Sequence, residues 1–322
     1  MKRLNGSFLV TGSTGFIGRR LIERLSQEGA IIYCAVYPDR HFDSQMAELP
    51  GVTPVAMSRT EEPCEIAVES ISPEVVVNLA SAGVDSDLRD LPSNMAANVA
   101  IVTQLIQSLS NRPPRAILHA GSWSEYAVGD RAAPITESDL ISPTSVYGAS
   151  KAAASFYGMA AARNAGIPFV NLRLFNVYGP GESTNRLAPH VIGCLAKRQP
   201  VDLTLGDQIR DLTYITDVVE AIWRASRSNL QPFSAYNVCS GIPVSVREVA
   251  ETIADLMGES RDLLRFGARA HRNDEPMYVV GDNSRFAEAT GWRPQVGLAT
   301  GLRMMIQSAM ESERARSWQP SR

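Results

Sequence analysis

Residues 7–18 of the chain read SFLVTGSTGFIG and carry the signal that decides the fold. The apolar run at 7–11 predicts a buried strand, and the stretch at 16–27 predicts an amphipathic helix. Between them three glycines permit a tight turn, close approach of the backbone to a pyrophosphate, and close packing of the helix on the sheet. A glycine-rich surface turn is the alternative, but the position between strand and helix favours dinucleotide binding. The residues of this turn expected to bind the cofactor are Gly12, Thr14, Gly15, Phe16, Ile17 and Gly18.

Short apolar runs alternate with amphipathic stretches through the first half of the chain, the pattern of a parallel sheet covered by helices. The run Ala30–Val36 is almost uniformly apolar, as a strand buried on both faces should be. We therefore predict an α/β fold with a doubly wound parallel Rossmann sheet that binds ligands at the carboxyl ends of its strands. The further predicted strands are Val52–Ala56, Glu74–Leu79, Arg115–Ala120 and Phe169–Leu174, and the predicted helices are Ser93–Leu109 and one that starts near Ser150.

The regular alternation loosens after Tyr178, where Gly179-Pro180-Gly181 breaks the pattern. We assign residues 1–178, with parts of 207–232, to the dinucleotide-binding domain. Residues 179–206 and 233–310 are expected to form a smaller, discontinuous C-terminal α/β lobe that binds substrate. The polar stretch 311–322 is expected to be a frayed tail.

Composition excludes several classes of protein. The 322 residues carry a formal charge of −3, which gives no broad attraction to nucleic acid or to anionic membranes. No apolar run approaches the roughly 20 residues that cross a bilayer, and the start lacks the apolar core of a signal peptide. The four cysteines are scattered without C-x-x-C spacing, so neither disulfides nor a metal site are expected. These observations predict a cytoplasmic protein that binds no metal, no nucleic acid and no membrane.

The choice of dinucleotide depends on the end of the second strand. An NAD site usually has an acid there to hold the ribose 2′-hydroxyl, whereas an arginine suits a 2′-phosphate. The strand ends without an acid at its tip, Arg40 follows shortly after, and Arg19, with Arg20 beside it, opens the first helix. We therefore favour NADP(H). NAD remains the alternative if Asp39 takes the ribose.

Tyr147 and Lys151 are spaced four residues apart at the start of a predicted helix, which places them on one helical face. An ammonium near a phenol favours the phenolate, so the pair suits proton transfer near neutral pH. Ser122 follows the fifth predicted strand and brings a hydroxyl to the same edge of the sheet. Each feature alone has a structural explanation, a chance spacing for the pair and a turn residue for the serine.

Together these segments resemble the extended short-chain dehydrogenase/reductase family, in particular its nucleotide-sugar epimerases, dehydratases and 4-ketoreductases. The resemblance covers nearly the whole chain, and the order of its segments is more specific than any one of them. The segments are TGSTGFIG (11–18), NLA (78–80), NV (98–99), PTSVYGASK (143–151), RLFNVYGP (173–180), RDLTYITD (210–217) and GWRP (291–294).

The resemblance implies roles for individual residues. Tyr147 would be the acid/base, Lys151 would lower its pKa and hold the nicotinamide ribose, and Ser122 would hydrogen-bond the reacting oxygen. The other residues implied to line the cofactor are Leu79, Ala80, Ser81 and Asn98. Those implied to bind a nucleotide-diphosphate sugar are Ser122, Trp123, Ser124, Asn176, Arg186, Arg210 and Arg272, with surface solvation as the alternative for the arginines.

The residues after Ser122 indicate which of the reactions of the resembled family is expected. Dehydratases of the resembled family carry Asp-Glu there, because eliminating water needs an acid and a base beyond the tyrosine. Trp123 and Ser124 stand in those positions, and Glu125, one position further, is expected to point elsewhere. We therefore predict NADPH-dependent reduction of a nucleotide-activated 4-keto-6-deoxyhexose. The alternatives are an NAD-dependent 4-epimerase, a reductase of other carbonyls and a non-catalytic NADP-binding regulator.

A homodimer is also expected from the resemblance. The apolar helices at 93–109 and 150–164 would pair with their copies as a four-helix bundle. The alternative is that both helices pack only on their own sheet.

Overall fold

The fold is described from a computed structural model, which covers residues 6–37, 41–57, 71–82, 91–129, 132–272 and 275–317. Only the backbone is described at 91–94, 96–97 and 315–317. Arg40, expected to bind the cofactor, lies outside the described residues. Within them, no helix combines the length and the apolar character that a membrane span requires.

Strands and helices alternate along the first part of the chain and mix less regularly after it. The strands are β1 (Ser7–Thr11), β2 (Ile31–Val36), β3 (Val52–Ala56), β4 (Val75–Asn78), β5 (Ala116–Ser122), β6 (Phe169–Leu174), β7 (Asn176–Tyr178), β8 (Val201–Leu203), β9 (Ile209–Tyr214), β10 (Ser234–Val238), β11 (Pro243–Ser245), β12 (Leu264–Phe266) and β13 (Tyr278–Val279). The helices are α1 (Phe16–Gln27), α2 (Ser44–Ala47), α3 (Leu91–Leu109), α4 (Val146–Asn164), α5 (Leu187–Ala196), α6 (Ile215–Arg227), α7 (Val246–Met257), α8 (Ser284–Thr290) and α9 (Leu298–Ser317).

The main sheet has seven strands in the order β10-β6-β5-β4-β1-β2-β3, and all of its pairings are parallel. Val10 of β1 pairs with Cys34 of β2 on one side and with Val77 of β4 on the other. The strand order reverses between β1 and β4, and a crevice for ligands opens at such a point, beyond the carboxyl ends of the strands. The predicted doubly wound fold is confirmed.

Both faces of this sheet are covered by helices, because alternate side chains of each strand point to opposite faces. Phe8 and Val10 pack with apolar residues of α1 and α6 on one face. Leu9 packs with residues of α3 and α4 on the other. The strands therefore read as continuous apolar runs, as the sequence predicts.

Smaller sheets follow the main one. Strand β9 pairs with β7, β11 and β13, and β12 pairs with β8. Helices α5, α7 and α9 contact one another beside them. This part of the chain brings Asn176 and Arg210 to neighbouring strands.

Two assignments within the predicted domain division are wrong. Strand β10 lies in 233–310 but is the edge strand of the main sheet, where it pairs with β6 and buries four of its five residues. The stretch expected to be a frayed tail is helical through Ser317 as the end of α9. The remainder of the division stays a prediction.

Helix α4 starts at Val146, four residues before the predicted start. Ser145 is its N-cap, and its hydroxyl accepts a hydrogen bond from the Gly148 N–H at 3.0 Å. This cap satisfies one of the free amide groups of the first turn. Tyr147 and Lys151 thus both lie inside a regular helix.

Candidate active site

The glycine turn joins β1 to α1 at the edge of the crevice. Gly12 has a φ of +66°, and a Cβ there would lie 2.7 Å from the backbone carbon of Leu79, so no other residue fits without a shift. Gly15 caps α1 without a side-chain hydrogen bond. The amide groups of the first helical turn are therefore oriented for an anionic ligand, as a pyrophosphate requires.

Hydrogen bonds between side chains of three adjacent strands connect the loop after β4 to the glycine turn. These side chains are Thr11 of β1, Asn78 of β4 and His119 of β5. The Thr11 hydroxyl donates to Asn78 Oδ1 at 2.6 Å and accepts from the Ala80 N–H at 3.3 Å. Asn78 Nδ2 lies 2.9 Å from Nδ1 of His119 on β5. These contacts fix Leu79, Ala80 and Ser81 beside the turn. His119 is itself fully buried.

Asn98 connects the same loop to α4. Its Oδ1 accepts from the Ala82 N–H at 2.8 Å, and its Nδ2 donates to the Ser150 hydroxyl at 2.9 Å. Asn98 is itself buried. The geometry makes it a residue that positions the cofactor loop against the helix that carries Tyr147.

The three candidate catalytic residues meet at the carboxyl end of β5. The Tyr147 phenol lies close enough to the hydroxyls of Ser81 and Ser122 for both to lower its pKa. The Ser122 hydroxyl lies 2.8 Å from the hydroxyl of Ser124 and accepts from the Ser124 N–H at 3.2 Å. Lys151 is one helical turn after Tyr147 and only 2% exposed.

The pKa of Tyr147 is raised, opposite to the direction expected from the sequence. Burial raises this pKa most, while the hydrogen bonds from Ser81 and Ser122 and the charge of Arg186 act to lower it. The polypeptide therefore presents a neutral phenol, which is the form that can donate a proton. Burial also lowers the pKa of Lys151 to about 8, against the charge of Glu125, which raises it.

Trp123 and Ser124 follow Ser122 in a short 3-10 helix, η1 (Trp123–Glu125). Trp123 packs beside an apolar cluster that contains Tyr126 and Phe175. No carboxylate occupies positions 123 and 124, and Glu125 points into the interior rather than toward the cleft, as expected.

The candidate diphosphate residues divide into two groups. Arg210 donates to Glu275 at 2.9 Å and to its neighbouring carbonyl of Ile209 at 3.0 Å. Arg272 lies 3.6 Å from the same Glu275 carboxylate. Asn176 donates to the backbone oxygen of Asp211 at 3.0 Å, so its amide is attached to β9, the strand that carries Arg210.

Arg186 lies apart from that group, at the start of α5. Its charge lowers the pKa of both the Tyr147 phenol and the Glu182 carboxyl. Burial raises the pKa of Glu182 to about 8. Glu182 Oε2 is buried and has no hydrogen-bond partner among the described residues. The sequence offered no signal for Glu182 beyond its place after the Gly179–Gly181 break.

The arginines of α1 point in different directions. Arg19 donates to the backbone oxygen of Thr14 at 3.1 Å and lies 3.3 Å from Asp43, which follows β2. It therefore stands between the glycine turn and the segment where a ribose 2′-group is bound in this fold. Arg20 instead pairs with Glu23 at 2.9 Å. The two side chains differ in direction because one step along a helix turns the side chain about 100°.

The chain matches a known protein family and is similar to several characterised proteins. A family model described as the NAD dependent epimerase/dehydratase family matches residues 8–239. GDP-6-deoxy-D-mannose reductase of Pseudomonas aeruginosa is 26% identical over 306 residues, which is 92% of this chain and 95% of that protein. CDP-abequose synthase of Salmonella typhimurium is 35% identical over 144 residues, and that match spans about half of each protein, 44% of this chain and 48% of the relative.

Solved structures agree with the fold. MoeE5 in complex with UDP-glucuronic acid and NAD has a TM-score of 0.82 and 25% identity, over 95% of this chain and all of that one (100%). The region matched by the family model contains the glycine turn, Ser122, Tyr147 and Lys151.

Proposed function

Because the chain belongs to the NAD-dependent epimerase/dehydratase family, whose members are NAD(P)-dependent enzymes, we propose that it reduces the 4-keto group of a nucleotide-activated 6-deoxyhexose. The observation that carries the proposal is the placement of Tyr147 and Lys151 one helical turn apart on α4, with the Ser122 hydroxyl at the end of β5 close enough to lower the pKa of the Tyr147 phenol. This arrangement supplies a proton donor at a site where a carbonyl oxygen becomes an alcohol.

The residues present fit a dinucleotide. The close approach of Gly12 to Leu79 lets the turn and the loop after β4 lie against each other, and the first turn of α1 offers free amide groups to a pyrophosphate. When bound, the reduced cofactor supplies the hydride. Lys151 and the loop Leu79–Ser81 would hold its nicotinamide end. Arg19 would bind a 2′-phosphate, which favours NADPH over NADH.

Each side chain of the site has a separate role in the proton transfer. Tyr147 donates its proton to the ketone oxygen, and the Ser122 hydroxyl hydrogen-bonds that oxygen as charge develops on it. Tyr147 is left as a phenolate, which burial alone disfavours. The positive charges of Lys151 and Arg186 stabilise it until a proton returns from solvent. The products are the secondary alcohol and the oxidised cofactor.

Dehydration is disfavoured by the same site. It needs a further acid and base at the sugar, but positions 123 and 124 hold Trp and Ser. The Glu125 carboxylate is buried and already accepts from Arg173 at 2.8 Å. Trp123 would instead cover the apolar C5–C6 side of a deoxysugar.

The arginines support a substrate with a diphosphate, because guanidinium groups pair well with phosphate oxygens. Arg210 and Arg272 would hold the diphosphate, and Arg186 would lie nearer the sugar. Two relatives have a nucleotide-linked sugar in their names, CDP-abequose synthase and GDP-6-deoxy-D-mannose reductase.

The test is a panel of CDP-, GDP-, dTDP- and UDP-linked 4-keto-6-deoxyhexoses, incubated with the protein and NADPH. We expect loss of reduced-nicotinamide absorbance that depends on one of these sugars and is absent with Tyr147→Phe. Absence of NADPH loss with every sugar of the panel would show that the proposed reaction does not occur.

The alternative is an NAD-dependent 4-epimerase, and the complex of MoeE5 with NAD favours it. An epimerase returns the hydride to the sugar and keeps its cofactor. NAD that copurifies with the protein, together with interconversion of sugar epimers without net reduction, would establish this alternative. The retained Tyr147 and Lys151 argue against a non-catalytic regulator.

We also propose a homodimer formed through α3 and α4, which contact each other on the main sheet. Four apolar side chains of these helices are exposed: Met95, Val146, Phe156 and Tyr157. Burial of such a patch against its copy would stabilise a dimer. Sedimentation equilibrium of the wild type and of Phe156→Glu tests it, with a monomeric wild type as the contrary result.

A further inference from the structure

The carboxylate of Glu125 lies at the centre of a buried polar cluster beneath the catalytic residues. Glu125 is fully buried, and its Oε1 accepts from the Ser122 N–H at 2.9 Å and from the Ser155 hydroxyl at 3.2 Å. Its Oε2 accepts from Asn171 at 3.0 Å and from Arg173 Nε at 2.8 Å. Four donors from α4, β6 and the end of β5 therefore converge on one side chain.

A buried ion pair of this kind contributes little net free energy to the stability of a fold. The ion pair of Glu125 and Arg173 is taken out of water, and the desolvation of two charges largely cancels their attraction. Arg173 also donates to the Tyr126 hydroxyl at 2.9 Å, and Tyr126 donates to Asn237 at 2.7 Å. These hydrogen bonds hold the Glu125 carboxylate in one orientation, while Asn171 Oδ1 has no partner among the described residues.

The two elements that Glu125 joins are those that carry the catalytic side chains. Ser122 ends β5, and Ser155 lies one turn after Lys151 on the same face of α4. The fit is close: a Cβ at Gly121 would lie 2.5 Å from Glu125 Oε1 and 2.8 Å from Asn171 Cγ. Because residue 121 is a glycine, β5 can pack directly against the Glu125 carboxylate.

Two titratable groups interact electrostatically with Lys151, Glu125 on η1 and His119 on β5. Glu125 on η1 raises the pKa of Lys151 against burial, which lowers it to about 8. His119 on β5 has its pKa lowered by burial and by the Lys151 charge, so its imidazole is neutral. Tyr147 on α4 itself is a neutral phenol, and Arg173 on β6 is a cation paired with Glu125. Among the described residues, the acid that acts on Lys151 is Glu125.

We propose that Glu125 is a positioning residue of the active site, holding Ser122 and the Lys151 face of α4 in register and placing a negative charge beside the buried ammonium. This role rests on the proposed function, since it serves proton transfer by Tyr147. It differs from the acid/base role that a carboxylate at positions 123 or 124 would have, because Glu125 reaches no substrate.

The chain offers a direct test, because its only lysines are Lys2, Lys151 and Lys197. The protein labelled with carbon-13 at lysine Cε gives three signals, and Lys151→Arg and Lys197→Arg assign them. In the wild type we expect the Lys151 signal to titrate near pH 8. In Glu125→Gln its midpoint should fall by about one pH unit, because burial is then unopposed by a neighbouring anion. The Lys197 midpoint should not move.

Two further variants keep the test decisive. If Glu125→Gln fails to fold because Arg173 is left unpaired, the double variant Glu125→Gln/Arg173→Met removes both charges, and its Lys151 midpoint should again lie below that of the wild type. Asp217→Asn is the matched control, since Asp217 is a buried carboxylate that accepts from the Val296 N–H at 2.9 Å, away from the cleft. It should lower the melting temperature and leave the Lys151 midpoint unchanged. A folded Glu125 variant with an unmoved Lys151 midpoint overturns the proposal.

The titration needs no substrate, so it separates this proposal from the proposed function. If a reducible sugar is found, the basic limb of kcat against pH should move to lower pH in Glu125→Gln by the same amount as the lysine midpoint. A uniform loss of kcat at every pH, with no shift, would indicate a purely structural role. If no sugar is reduced, the proposed function fails while the lysine titration still decides the role of Glu125.

Discussion

The proposed catalytic cluster and the proposed diphosphate-binding arginines are built in opposite ways. Ser122, Tyr147 and Lys151 lie against a buried network in which one carboxylate accepts four hydrogen bonds. Arg210 and Arg272 share the carboxylate of Glu275, and the Arg272 side chain is 58% exposed. The first cluster is fixed by the fold, whereas the second is held by an ion pair that a ligand can rearrange.

This difference follows from what each cluster has to do. Proton transfer requires atoms placed before the substrate arrives, because misplacement is costly in rate. A diphosphate brings its own charge and can replace or share the Glu275 carboxylate at Arg210. Substitutions in the first cluster should therefore change turnover, and substitutions in the second should change the affinity for substrate.

The largest effect is expected for Tyr147→Phe. Loss of the proton donor should lower kcat about a thousandfold, while the affinity for NADPH changes less than about twofold, since the phenol ring remains. Stopped-flow and fluorescence titration measure the two quantities. A comparable loss of NADPH affinity would mean that the phenol serves binding, and the contrast between the clusters would fail.

Arg210→Met comes next. Loss of a charged hydrogen bond to phosphate should raise KM for the nucleotide sugar about ten- to a hundredfold and leave kcat within a few-fold. Arg272→Met is the comparison variant, with a smaller rise because its side chain is more exposed. Steady-state kinetics that show a fall in kcat for Arg210→Met would place this arginine with the catalytic residues instead.

Arg19→Ala probes the cofactor end of the cleft. The ratio of NADPH to NADH affinity should fall about tenfold, because a half-exposed guanidinium contributes less than a buried one (46% exposed). Arg20→Ala is the matched control, since Arg20 pairs with Glu23 and should leave the ratio unchanged. Isothermal titration with both cofactors measures the ratio, and equal ratios in wild type and Arg19→Ala would favour NAD.

Lys151→Met should abolish turnover yet stabilise the fold. Burial lowers the pKa of Lys151 from 10.5 to about 8, so below pH 8 the folded state bears the full cost of the buried charge. The cost shrinks as pH rises from 8 to 10.5 and is absent above the unfolded value. We expect the Met variant to melt a few degrees higher at pH 7, with the gain lost near pH 10.5. An exposed control, Lys197→Met, should show no such pH dependence.

The sequence predicts the main sheet and the glycine turn because their signals are local. The run 7–18 holds strand, turn and helix start within a dozen positions, and Tyr147 and Lys151 are one turn apart. A strand such as β10 is harder to place, since Ser234–Val238 is short and pairs with β6, from which α5, α6 and three strands separate it. For this reason the sequence wrongly assigns β10 to the smaller lobe, although it pairs with β6 of the main sheet.

The polar clusters of the site depend on partners that are distant in the chain. Arg173 and Glu125 are 48 residues apart, and Arg210 and Glu275 are 65 residues apart. No spacing rule links such pairs. The Ser122-x-x-Glu125 spacing is a capping-box pattern, and this local signal could have placed the Glu125 carboxylate against the Ser122 N–H. Burial, which decides the direction of the Tyr147 pKa, depends on the whole fold.

β10 is synthesised after the other six strands of the main sheet, so the sheet is incomplete during most of translation. All three catalytic side chains have left the ribosome by the time residue 178 emerges, yet β6 is still bare along one edge and α1 still lacks α6. Unpaired strand edges recruit other chains. A fragment that stops at residue 178 should therefore pellet on centrifugation while the whole chain stays dispersed.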